Sequence, residues 1–207
     1  MPTCSSKPHK RKPMIYHQST LETCGASCVL MLLRIYRKVD RMLPTKEKEI
    51  DRDYHSRVLK KGMTAAAMAD CLSARQLKVE LLHSDPEYMH NRNGYFDPGI
   101  YPALMAEYRE HLNKCAHRII CRTGVQIDCD FLRAQLDLGK EILLECAVDG
   151  MDGGREATVL HWVLLYRYEG DQFWFCDPKS HCRSYSSRDL EETIHTPVGR
   201  ICLLIGP

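Results

Sequence analysis

The chain has 207 residues, 44% hydrophobic and 27% charged, with a formal net charge of +2. That length can bury one substantial core, and no run of eighteen apolar residues offers a membrane span. The near-neutral balance excludes a general nucleic-acid binder, whose affinity rests on a large basic excess.

The charge is uneven, since KPHKRK over Lys7–Lys12 holds four cations in six positions. Lacking core-forming residues, 1–13 read as a flexible basic tail and 14–207 as a single domain. Thr23–Lys38 reads as a helix capped by Thr23. Its residues Cys28, Val29, Leu32, Leu33 and Tyr36 recur at helical spacing, and Leu30 and Met31 cover the remaining faces. Such a helix is central and buried. Residues 40–62 are charged and predict a short, mostly solvated helix. Thr64 opens another over Ala65–Leu77, followed by a strand at Val79–Leu82. Pro, Gly and Asn fill Asp85–Tyr101 and mark an irregular connection, after which Ala103–Asn113 predicts a short helix.

Further on, Cys129–Leu138 predicts a helix with Asp128 as cap and Gly139 as stop. Strands are expected at Ile142–Val148, Thr158–Tyr168, Gln172–Asp177 and Arg200–Ile205, with DGMDGG at Asp149–Gly154 as a loop. Helices first and an antiparallel sheet last give an α+β architecture.

Eleven cysteines is an odd count in a long chain, and the N-terminus lacks the apolar core of a signal peptide. A reduced compartment fits: the cytoplasm, or a target cell reached by export without a classical signal. Most cysteines then act as small buried hydrophobes. No CxxC pair is present, so zinc-finger spacing fails at its first step. Cys176 and Cys182 flank His181, a weak metal hint, and neither a metal nor a cofactor is expected.

Four residues form a candidate site: Gln18, Cys24, His161 and Asp177. Singly, each has a bland reading as a loop residue, a buried thiol, a core histidine and a strand terminator. Together they suit nucleophilic chemistry. Cys24 sits at a helix N-terminus, where free N–H groups and the dipole favour a thiolate. Gly25 beside it would let a substrate backbone approach. His161 and Asp177 stand eight residues either side of Glu169, in a hairpin signalled by Glu169-Gly170-Asp171. An odd-length loop, with Gly170 or a neighbour left-handed, would put both side chains on one face. A two-residue loop would separate them.

The segment HQSTLETCGASCVLMLL resembles the active-site helix of the papain-like cysteine peptidase superfamily. Its nearest likeness is to the double-glycine leader peptidases of bacteriocin exporters. In those a glutamine precedes the nucleophile by six residues, as Gln18 precedes Cys24. HWVLLYRYEGDQFWFCDP is similar to that family's His strand, turn and Asp-Pro. The resemblance covers about 16–38 and 157–205. It implies a papain-like fold, with the central helix packed on the C-terminal sheet. It also implies Cys24 as nucleophile, His161 as proton carrier, Asp177 as the group that orients it, and the Gln18 amide with the Cys24 N–H as oxyanion hole. No transporter domain follows and the middle segment is longer, so double-glycine substrates are not carried over. A free-standing enzyme with a basic tail looks more like the superfamily's bacterial effector or toxin proteases.

The expected function is a thiol hydrolase acting on a peptide or amide bond of a protein or peptide substrate. The same triad could serve glutamine deamidation or acyl transfer. Outside enzymes, the alternatives are a catalytically silent binding module and an interaction protein whose cysteines hold metal. Trp174 and Phe175 could line a cleft but are more simply core, and His17 is more simply an exposed loop residue.

Overall fold

The computed structural model describes residues 14–85, 97–147, 160–194 and 200–206. The basic stretch 1–13 and the loop expected at 149–154 lie outside them, as does most of the irregular connection.

Helix α1 spans Cys24–Ile35 and buries every residue from Cys24 to Leu33, as an apolar helix without a polar face must. Helix α2 (Pro44–Tyr54) starts on its proline and buries only Glu47 and Ile50. Helix α3 (Ala65–Ala74) is capped by Thr64, whose hydroxyl accepts from the Ala67 N–H at 3.2 Å. Helix α4 (Tyr101–Cys115) carries a proline in its first turn, where a missing N–H costs nothing. Helices α5 (Cys129–Asp137) and α6 (Ser187–Thr193) are capped by Asp128 and Ser186.

Helices α1 and α3 end earlier than the apolar pattern predicts. Arg37 and Gln76 take left-handed conformations at φ 55° and 62°. Lys38 N–H reaches Leu33 O at 2.8 Å, and Leu77 N–H reaches Leu72 O at 3.2 Å. Gly139, at φ 82°, ends α5 in the same way. This pairing satisfies the last carbonyls of each helix.

Seven strands form one sheet in the order β2-β1-β7-β3-β4-β5-β6. They are β1 (Lys78–His83), β2 (Ile119–Arg122), β3 (Glu141–Ala147), β4 (Leu160–Glu169), β5 (Gln172–Cys176), β6 (Cys182–Ser186) and β7 (Ile201–Gly206). Only β1 and β2 run parallel. The sheet is therefore not confined to the C-terminal part: β7 inserts between β3 and β1, a strand from the helical half. Strands β2 and β6 and helix α6 are additions to the predicted elements.

The pleat splits the core in two. Leu81, Leu143, Trp162, Leu164 and Leu203 pack with α1, α3 and α4. Ile142, Leu144, Val163, Leu165 and Leu204 pack with Leu132 and Leu136 of α5 and Leu190 of α6. The central helix α1 thus lies on the sheet as expected, with two further helices on the opposite face. Phe175 is in the second core, as its simpler reading has it, whereas Trp174 is half-buried against the edge of the first core and stacks under the Arg167 guanidinium at 4.5 Å. Among the described residues, no helix is long and apolar enough to cross a membrane.

Candidate active site

Cys24 is the first residue of α1. No acidic side chain occupies the first turn and no side chain caps it, leaving N–H groups at this end for an anion. Thr23 holds the cap position but does not cap. Its hydroxyl meets Thr20 O at 3.2 Å and turns to Glu47. Gly25 also differs from expectation. A Cβ there would lie 3.0 Å from Met63 Cβ and 3.3 Å from Met68 Sδ. The glycine admits the lead-in to α3, not a substrate backbone. Trp162 fastens that same lead-in to β4, its Nε1–H donating to Met63 O at 3.2 Å.

His161 and Asp177 meet at 2.7 Å, Nε2 to Oδ1, but not through an odd loop. Glu169 pairs with Gln172, so the turn has two residues, Gly170 and Asp171, with Gly170 left-handed at φ 57°. Such a turn alone would send the two side chains to opposite faces. The ladder then slips between Leu165 and Arg167, leaving Tyr166 as an extra residue in β4. Beyond this bulge Leu164 faces Cys176. One further step sets Asp177 opposite Val163, a diagonal neighbour of His161. A bulge restores the parity that the turn removes, and a diagonal pair lies within reach of long side chains.

Asp177 is held from three sides. Oδ1 also accepts from the Lys179 N–H at 2.8 Å, and Oδ2 accepts from Ser180 Oγ at 2.8 Å. Burial raises its carboxyl, but the His161 bond and charge, with these donors, hold it down to about 2. Burial likewise pulls the His161 imidazole down, yet Asp177 and a hydrogen bond with Cys24 lift it to about 9. Because the carboxylate takes Nε2, the sulfur is left with Nδ1. The ring is thus buried between the Asp177 carboxylate and the Cys24 sulfur, and the carboxylate favours its protonated form.

Gln18 is tied to the same region through its main chain, whose N–H donates to Pro178 O at 3.0 Å, one residue past Asp177. Its side-chain Nε2 donates to Thr20 O at 2.7 Å. An amide nitrogen carries two hydrogens, so this bond uses one of its two N–H groups, while Oε1 is buried with no hydrogen-bond partner among the described residues. His17 is exposed.

The segment before Cys24 depends on Glu47, a residue that sequence reasoning passed over. Its carboxylate is fully buried and accepts from Ser27 Oγ at 2.7 Å, Tyr16 OH at 2.9 Å and the Ser19 N–H at 2.9 Å. Burial works against the charge, but these donors and Thr23 keep the carboxyl below its ordinary range. Glu47 thereby joins α2 to the residues beside Gln18 and to the first turns of α1. It sits on a helix that is charged and solvated apart from Ile50, and hydropathy does not distinguish it from Glu49.

Cys28, one turn after Cys24, donates its thiol to Trp162 O at 3.3 Å, and complete burial pushes it well above the ordinary range. Eight of the ten described cysteines are buried, Cys121 and Cys182 being the exceptions. Among the described residues, no group of three His, Cys, Asp or Glu side chains could hold a metal ion.

No protein-family model matches the chain, and no curated protein matches it in sequence. Among solved structures, it is similar to a double-glycine motif protease from an AMS/PCAT transporter, solved in complex with the leader peptide. That likeness has a TM-score of 0.53 at 13% identity and covers 97% of this chain and 96% of the other. At this identity the likeness speaks for architecture, and the chain has the α+β, papain-like fold of that protease.

Proposed function

We propose that the chain is a thiol hydrolase of papain-like fold that cleaves a peptide or amide bond, with 14–207 as its catalytic domain. One observation carries this reading. A cysteine at an uncapped helix N-terminus interacts with a buried histidine whose Nε2 is held at 2.7 Å by a buried carboxylate. Structural cysteines have no need of such a partner, whereas a nucleophile does.

In the proposed cycle Cys24 Sγ attacks the carbonyl carbon and the C=O electron pair moves onto oxygen. The Cys24 N–H and the remaining Gln18 N–H stabilise that oxyanion. The His161 imidazolium gives its proton to the leaving amine as the C–N bond breaks, which leaves a thioester. His161 then takes a proton from water, the hydroxide adds, and the thiolate departs with the acid formed. Asp177 stays ionised and fixes the ring. The same thioester can pass to an amine, and an amide side chain can replace the peptide bond. The leader peptide bound by the structural neighbour supports a peptide as the substrate class.

The test is to incubate the purified chain with a proteome-derived peptide mixture and read the products by mass spectrometry. New peptide termini, absent with Cys24→Ala, are expected. Glutamine-to-glutamate changes without new termini would move the reading to deamidation. An unchanged mixture with no adduct at Cys24 would leave the silent binding module.

A further inference from the structure

Cys176 closes β5 and Cys182 opens β6, and the two are direct partners in the ladder. The five residues between them begin with Asp177. Their sulfurs are 3.2 Å apart. The Asp177 N–H reaches His181 O at 3.4 Å. A bond from the residue after one partner to the residue before the other marks a non-hydrogen-bonded pair. In such pairs the Cα atoms stand about 4.5 Å apart, inside the range a disulfide spans. Forming the bond requires the sulfurs to close by roughly 1.2 Å, a displacement that small side-chain rotations supply. Cys176 is buried while Cys182 is half-exposed, so an oxidant can reach one member of the pair.

We propose that Cys176 and Cys182 are a reversible disulfide site that staples the loop bearing Asp177. With glutathione disulfide as oxidant, the Cys182 thiolate attacks one glutathione sulfur, the S–S bond breaks, and the first glutathione leaves and takes up a proton. The Cys176 thiolate then attacks Cys182 Sγ and expels the second glutathione, which is protonated in turn. Two protein thiols are oxidised and one glutathione disulfide is reduced to two thiols.

The consequence lies in the loop. The Asp177 main chain accepts from the Ser180 N–H at 3.2 Å, and its carboxylate is held by Lys179 and Ser180. All of these contacts fall between the two sulfurs in sequence. A cross-link keeps the ends of β5 and β6 together, so that opening the loop can no longer carry Asp177 away from His161. The site does not depend on Cys24 being a nucleophile.

The experiment uses the full chain carrying Cys24→Ser, which removes the competing thiol. It is treated with glutathione disulfide, alkylated with iodoacetamide and digested with trypsin. Trypsin cuts after Lys179, between the two cysteines, so a Cys176–Cys182 bond joins two peptides that separate on reduction. Those joined peptides are expected, with a loss of 2 Da from the intact chain and a melting midpoint raised by about 5 °C. All three should vanish when Cys182→Ser is added and reverse with dithiothreitol. Full alkylation of both cysteines, a stable glutathione adduct on Cys182, a bond to any other cysteine, or a cross-link that leaves the midpoint unmoved would each overturn the proposal.

Discussion

Asp177 reaches His161 because Tyr166 is one residue more than β4 needs to match β5. The two-residue turn at Gly170-Asp171 and the bulge each invert the facing of everything upstream in β4. Together they cancel, so the imidazole and the carboxylate lie on the same side. The arrangement expected from an odd loop is present, reached by another route.

The pair should set the shape of stability against pH. His161 is lifted to about 9 from 6.5, so its contribution is complete below about 6.5 and is lost as pH rises through about 9. Asp177 is held to about 2 from 3.8, so its contribution is complete above about 3.8 and is lost as pH falls through about 2. Melting midpoints should therefore decline on both sides of a plateau between about 4 and 6.5. In Asp177→Asn the His161 ring protons, followed by NMR, should titrate at least about one unit lower. An unchanged titration would mean that the carboxylate is not what lifts the imidazole.

Cys24 and Cys28 should respond differently to substitution. Cys24→Ala removes a side chain at the helix end and should melt within about 2 °C of the parent chain. Cys28→Asp buries a charge where the thiol now bonds to Trp162 O, and breaking a core this way costs about 3–5 kcal/mol. Thermal melts check the difference. Equal behaviour would refute the division of labour between the two thiols.

Glu47→Ala should leave Tyr16, Ser19 and Ser27 donors without an acceptor. At about 1 kcal/mol or more for each of the two buried donors, Tyr16 and Ser27, the loss is roughly 2 kcal/mol or more, read as a lowered urea midpoint. Peptide turnover by Glu47→Ala should fall about tenfold or more, because the Gln18 loop loses its anchor. Glu47→Gln should fall between the two in both measurements, and a Glu47→Ala chain as stable as the parent would remove Glu47 from the account.

The legible parts of the fold were those with local chemistry. Asp128 and Gly139 bracket α5 as read, because a capping carboxylate and a left-handed glycine are visible in the sequence. The ends of α1 and α3 use the same geometry with Arg37 and Gln76, residue types that do not announce a left-handed turn. Helix α6 left a signal that went unused: Ser186 and Asp189 bond reciprocally, the Asp189 N–H to Ser186 Oγ at 3.2 Å and Ser186 Oγ to Asp189 Oδ2 at 2.7 Å. Strand β2 has four residues and only one parallel neighbour, too little pattern to read. The pairing of His161 with Asp177 was legible as a meeting, but the bulge behind it was not, since nothing in LLYRYE marks Tyr166 as the extra residue.

The rate of Cys24 alkylation by iodoacetamide at pH 6, mapped by mass spectrometry in the parent chain and in His161→Ala, tests the central claim most directly. Burial first of all lifts the competitors: Cys71 to about 12, Cys115 to about 11 and Cys129 to about 12, with Cys28 also well above its ordinary range. Cys24 should therefore be labelled ahead of them in the parent chain and at least about tenfold more slowly in His161→Ala, where the imidazolium is gone. Equal rates in the two chains, or labelling of Cys28, Cys71 or Cys115 ahead of Cys24, would contradict a thiolate–imidazolium centre.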